Sequence, residues 1–267
     1  MIKKAYVDIN EGQVHYRYGG PESGLPVVFF HQNTSSSAMF EPLLQKLESR
    51  HRVLAFDLPG FGGSYDPSEP FTDIRYLTDS MMKALDALEI QSFHVCGQHT
   101  GASMAVEMGA RYPRRVKSVM NIGPLYMDEA KRDRYRQAFN GSAPPDPAGE
   151  YLLKTWETLR QGGADADLDL LHREMWEELR SWKARAWVYQ CVWDHDFNSY
   201  FDQLDCPILI MAAEDDVLFH GFKNARASRP GVEAVIVGGS NFEPELDPEG
   251  VSRAILEFLA KYGRSRD

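Results

Sequence analysis

The segment Ser92–Ala105 constrains the fold of this chain more than any other. Ser92-Phe-His-Val-Cys reads as a short buried strand and Thr100-Gly-Ala-Ser-Met-Ala as the start of a helix. Only Gly97-Gln-His-Thr-Gly101 is left to join them. Glycines at both ends let the backbone bend sharply and bring strand and helix into close contact. A strand that turns so abruptly into a helix belongs to a layered α/β sheet. The middle side chain, His99, is then held exposed above the sheet.

The remaining sequence has the same rhythm. Ala5–Ile9 and Gln13–Tyr18 read as a hairpin around Glu11-Gly12. Pro26–His31, Val53–Asp57, Val116–Ile122, Pro207–Ala213 and Ala234–Val237 are short apolar runs of buried-strand type. Helical periodicity fills Met39–Glu48, Thr72–Leu88, Thr100–Tyr112 and Pro248–Tyr262. The alternation predicts a mostly parallel sheet with helices on both faces. One region breaks it. Tyr126–Tyr200 contains no convincing strand, is rich in Arg, Glu, Trp and Leu at helical spacing, and carries loops at 141–147 and 162–163. The expected organisation is a core of residues 1–125 and 201–267 with a helical cap, 126–200, over a cleft.

The chain of 267 residues is long enough for one such domain. Its 39 acidic and 29 basic residues give a formal charge of −10, with no basic run to neutralise phosphates, so no nucleic-acid partner is expected. Three scattered cysteines form neither a disulfide framework nor a C-x-x-C pair. No run approaches a membrane span, so the expectation is a soluble, cytoplasmic protein, monomeric or homodimeric, without membrane contact. His31, His99 and His195 lack metal-ligand spacing, and neither metal nor cofactor is expected.

Taken in order, several segments resemble the α/β-hydrolase fold superfamily over nearly the whole chain. His31-Gln-Asn-Thr-Ser-Ser-Ser37 stands where that family carries its oxyanion loop, and Asp57-Leu-Pro-Gly-Phe-Gly-Gly-Ser64 is similar to its Asp-x-Pro-Gly-x-Gly-x-Ser turn. Gly97–Gly101 has the spacing of its nucleophile elbow, Gly-x-Ser-x-Gly. Ala213-Glu-Asp-Asp216 sits where the acid of the triad belongs, with Asp216 at the fourth place of a Gly-x-x-Asp pattern. Gly238-Gly-Ser-Asn-Phe242 is similar to the loop that supplies the catalytic histidine. The resemblance implies the α/β-hydrolase fold and hydrolytic chemistry.

Two positions depart from the pattern. His99 replaces the family's Ser, Asp or Cys, and Asn241 replaces its histidine. Without a hydroxyl at the elbow no serine acyl-enzyme forms. An imidazole reaches about 2–3 Å farther than a serine hydroxyl, into space the loop histidine would otherwise occupy. The expected catalytic set is therefore His99, Asp216 and Asn241, with His99 meeting Asp216 directly or through Asn241 and acting as general base or acid. Nucleophilic attack by His99 is a less favoured route. Asn33, Gln32 and the N–H of Thr100 are candidates for the oxyanion hole, and His195, near the end of the cap, for substrate binding. Ser103 is expected to point elsewhere, Asp57 to brace loops and His31 to be structural; Glu243 and Glu245 flank the late loop within reach of the cleft, with solvated surface the favoured reading. The expected activity is ester or lactone hydrolysis, or C–C or lyase-type cleavage, of a small, partly apolar carbonyl compound. The competing expectation is a degenerate member of the fold that only binds or senses a ligand.

Overall fold

The computed structural model of the chain describes residues 1–139 and 144–262. The loop expected at 141–147 falls partly outside the described residues. Strands β1 (Lys3–Ile9), β2 (Gly12–Gly19), β3 (Val27–Phe30), β4 (Val53–Phe56), β5 (Phe93–Gln98), β6 (Val116–Ile122), β7 (Ile208–Ala213) and β8 (Glu233–Val237) form one sheet. Its order is β1-β2-β4-β3-β5-β6-β7-β8. β2 runs antiparallel to β1 and β4, and every other neighbouring pair is parallel.

Alternation along the strands divides the core in two. Val27, Phe29, Val53, Ala55, Leu209 and Met211 face α1 (Glu41–Leu47) and α11 (Pro248–Tyr262). Val28, Phe30, Leu54, Phe56, Ile208 and Ile210 face the opposite layer. That layer holds α2 (Arg75–Ala87), α3 (Thr100–Arg111) and α9 (Phe219–Ser228). Burying each such large side chain contributes on the order of 2 kcal/mol.

Local chemistry sets the helix ends. Pro42 near the start of α1 separates it from the 3-10 turn Ser37–Phe40, so Met39–Glu48 is two elements. α2 starts later than its periodicity suggests because the Asp73 carboxylate takes the Arg75 N–H at 2.9 Å. α9 was not foreseen. It contains Gly221, a poor helix former, required because a Cβ there would lie 2.0 Å from the Pro124 carbonyl oxygen.

Between β6 and β7 stand α4 (Glu129–Ala138), α5 (Glu150–Gln161), α6 (Leu168–Arg180), α7 (Trp182–Asp194) and α8 (Phe197–Asp202). α8 packs Phe197 and Phe201 into the α3 side of the core rather than into the roof. α6 docks on the loop after β3: Ser35 and Ser36 donate to Glu174 (2.8 Å) and Glu177 (2.7 Å). Its last residue, Arg180, donates to the carbonyls of Gly62 and Ser64, both at 3.1 Å. No helix among the described residues is long and apolar enough to cross a membrane.

Candidate active site

The turn between β5 and α3 is held from several sides. A Cβ on Gly97 would lie 2.0 Å from the Gly101 carbonyl oxygen, and one on Gly101 would lie 1.9 Å from that of Phe30. Both positions therefore exclude any side chain. His99 between them has φ 45° and ψ −106°, a conformation non-glycine residues rarely adopt. Its N–H donates to the Ile122 carbonyl at 3.0 Å, and its carbonyl accepts from the Ser103 N–H. Such strain persists only where the surroundings over-determine it, and it recurs at functional sites. Ser103 is buried on α3, away from the cleft.

His99 Nε2 lies 2.9 Å from Asp216 Oδ2, so the two meet directly. The Asp216 side chain is fully buried and that of His99 is 14% exposed. Its sequence neighbour Asp215 is exposed. The pair fits a cradle formed by Gly123, the residue after β6, at φ +60°. A Cβ there would stand 2.3 Å from His99 Cδ2 and 2.9 Å from Asp216 Oδ2. Burial works against the Asp216 charge, but the His99 ring, Glu243 and the Leu218 N–H outweigh it and hold the carboxyl below its usual range.

Glu243 lies beside Asp216, and the favoured expectation of a solvated side chain is corrected. It is fully buried at the start of α10 (Glu243–Leu246), where its carboxyl accepts from Gln98 Nε2 (2.8 Å) and the Ala213 N–H (3.2 Å) and faces Asp216. Burial first, then the Asp216 charge, pushes it well above the ordinary carboxyl range. Glu245 is also mostly buried, ion-paired with Arg173 at 2.6 Å. Burial raises it to about 8. Nothing local in Phe-Glu-Pro-Glu marks either acid as buried; their partners lie on distant segments.

A cavity of about 1050 Å³ lies under the cap, with His99, Thr100, Gln32, Asn33 and Asn241 on its lining. Thr100 opens α3, so its N–H has no intrahelical acceptor and is available to an oxyanion. The Asn33 amide is partly committed, because Nδ2 donates to the Arg185 carbonyl on α7 at 3.1 Å. The Asn241 side chain bonds to neither His99 nor Asp216. Its Oδ1 accepts from the Val217 N–H (3.1 Å) and its Nδ2 donates to the Gly162 carbonyl (2.8 Å), tying the late loop to the end of α5.

His195 does not reach the cavity, which corrects the expectation of a substrate contact. α7 ends by directing its ring toward α3, with Nε2 3.4 Å from Glu107 and the ring stacked on Tyr200. Among the cap aromatics, Tyr189 and Trp193 line the cavity, while Trp176 lies on the outer surface. His31 binds the Gln32 carbonyl (2.8 Å) and the Leu58 N–H (3.0 Å), and burial pushes it down to about 4. Asp57 accepts from His15, Ser37 and Gly63 at 2.7–2.8 Å, joining the loops after β3 and β4.

A mostly parallel sheet, a strained strand-to-helix turn carrying His99, an acid after a late strand and a helical roof define the hydrolase-type α/β architecture. Residues 26–233 match the alpha/beta hydrolase fold family, and the chain belongs to it. A carboxylesterase of Bacillus subtilis, YbfK, is 28% identical over 268 residues, 95% of this chain and 86% of its own length. A 2-(acetamidomethylene)succinate hydrolase of Mesorhizobium japonicum is 27% identical over 270 residues, 95% of this chain and 94% of its own. The crystal structure of an enol-lactonase from Burkholderia xenovorans LB400 superimposes with a TM-score of 0.79 at 17% identity, covering 96% of this chain and all of that one. Identity that low speaks for the fold alone.

Proposed function

We propose that this chain is a hydrolase of small, partly apolar esters or lactones in which His99, oriented by Asp216, activates water directly. The observation that carries this reading is the 2.9 Å contact between His99 Nε2 and Asp216 on the wall of the roofed cavity. An Nε2–H donating to Asp216 leaves the lone pair on Nδ1. Nδ1 takes a proton from water, and the hydroxide adds to the substrate carbonyl. The tetrahedral oxyanion is met by the Thr100 N–H and by donors of the loop at Asn33. Collapse expels the alkoxide, which recovers the proton from the imidazolium; ester and water become acid and alcohol. Relatives named carboxylesterase and hydrolase favour this over C–C cleavage by the same base.

The test is a panel of aryl esters and lactones assayed with wild type and His99→Ala, followed by one turnover in H₂¹⁸O. Removing the base should lower kcat by about 10²–10⁴-fold, the usual contribution of general-base catalysis. Label should enter the acid while the intact protein mass stays unchanged. An acyl adduct on His99 would replace the general-base route with a covalent one. No turnover in either protein, with ligand binding unchanged, would leave a binding module.

A further inference from the structure

Behind the His99–Asp216 contact lies a second buried acid that this mechanism does not consume. Glu243 has no exposed surface, and its contacts are Gln98 Nε2 at 2.8 Å, the Ala213 N–H at 3.2 Å and the Asp216 carboxyl. None of these is a cation. Two carboxylates side by side in a buried site cannot both hold a full charge, so the pair keeps one proton. Asp216 already accepts from His99 and from the Leu218 N–H, which favours its ionised form. Glu243 accepts only neutral donors. The circuit closes on itself, because Gln98 immediately precedes His99 in the turn.

We propose that Glu243 is a positioning residue of this site: as a neutral acid it donates a hydrogen bond to Asp216 and fixes the face that carboxylate turns to His99. A donor on Asp216 also spreads that carboxylate's negative charge, so the field it presents to His99 depends on Glu243. Burial of the Glu243 carboxyl, which favours its protonated form, agrees with this assignment. The inference rests on the general-base reading of His99, but it is tested on the resting protein.

The experiment follows the His99 ring by ¹H–¹⁵N NMR through a pH titration in wild type, Glu243→Gln and Glu243→Leu. Infrared spectra at neutral pH report the C=O stretch of a protonated carboxyl. Glutamine keeps a neutral donor, so the His99 midpoint should stay within about 0.3 pH unit while one protonated-carboxyl band disappears. Leucine removes the donor, concentrates charge on Asp216 and should raise the midpoint by about one pH unit. On any ester the wild type turns over, Glu243→Gln should remain within about threefold and Glu243→Leu should fall about tenfold. A midpoint that falls in Glu243→Gln means that a negative charge was removed, and the proposal fails. It fails equally if the wild type lacks the band that Glu243→Gln should lose, or if the leucine variant titrates like wild type. Should Glu243→Leu not fold, the glutamine midpoint and the infrared band still decide. Absence of ester turnover alone would count against the hydrolase reading and leave the NMR and infrared result standing.

Discussion

Two turns at the same end of the sheet face the same cavity and behave in opposite ways. The turn after β5 carries His99, strained, braced by glycines, its Nδ1 without a hydrogen-bond partner among the described residues. The loop after β8 carries Asn241, with both ends of its amide spent on backbone groups of Val217 and Gly162. In the pattern this chain resembles, the second loop supplies the histidine. Here it fastens the roof with one residue and buries an acid behind Asp216 with another. The difference teaches that what a turn contributes depends less on its lead residue than on which atoms the surroundings leave unoccupied.

The sharpest way to break the comparison is to crowd the first turn without touching its reactive group. Gly123→Ala places a methyl 2.3 Å from His99 Cδ2 and 2.5 Å from Nε2, so the ring must move. Misplacing a catalytic group by about 1 Å costs on the order of 10²-fold in rate, and kcat/KM for the best ester should fall by that much. The fold should survive, because strain at one positive-φ position costs about 1–3 kcal/mol. Wild-type activity in this variant, with circular dichroism unchanged, would show that the ring has no need of its cradle.

Acidity separates the two regions next. His94, in the strand that feeds the first turn, is pushed down to about 4 by burial, as is His31 on the neighbouring loop. As pH falls below about 6.5 the unfolded chain takes up these protons and the folded one does not. Stability should therefore drop between about pH 6.5 and pH 4, by on the order of 3 kcal/mol per histidine, and level off below. Glu245, in the late-loop region, works in the other direction. Its carboxyl, raised to about 8, keeps a proton that the unfolded chain loses near its ordinary value of 4.5, so its contribution is lost as pH rises through that interval. Urea unfolding across pH should show His94→Asn flattening the acid limb and Glu245→Gln flattening the other. Identical profiles for the two variants would erase the distinction.

What could be read from the sequence follows the range of the forces involved. The strands were legible because alternation and β-branching are local, and the first turn because Gly97 answers a clash within one strand–helix unit. The pairing of His99 with Asp216 was legible through the spacing of family motifs. The burial of Glu243 was not, since it depends on Asp216 and Gln98 arriving from other segments. His195 was misplaced for the same reason: its nearness to the end of the cap gave no sign that Glu107 and Tyr200 would hold it on the far side. α9 escaped because its Gly221 serves a close approach to Pro124 rather than helix formation.

The smallest effect belongs to Asn241, and it bears directly on the claim that the late loop holds rather than reacts. Asn241→Ala removes the 2.8 Å bond to the Gly162 carbonyl, which keeps the Ser240 hydroxyl at 3.5 Å, and the 3.1 Å bond from the Val217 N–H. Both groups lie near enough to water to be resolvated, so the expected loss is about 1–2 kcal/mol of unfolding free energy. The end of α5 would be held less firmly to the loop, and because both line the cavity, KM should rise a few-fold, about the worth of one hydrogen bond. kcat should stay within about threefold, since neither nitrogen of His99 nor either oxygen of Asp216 loses a partner. A kcat that collapses as far as in His99→Ala, with stability intact, would put Asn241 in the proton path and make the two turns one machine.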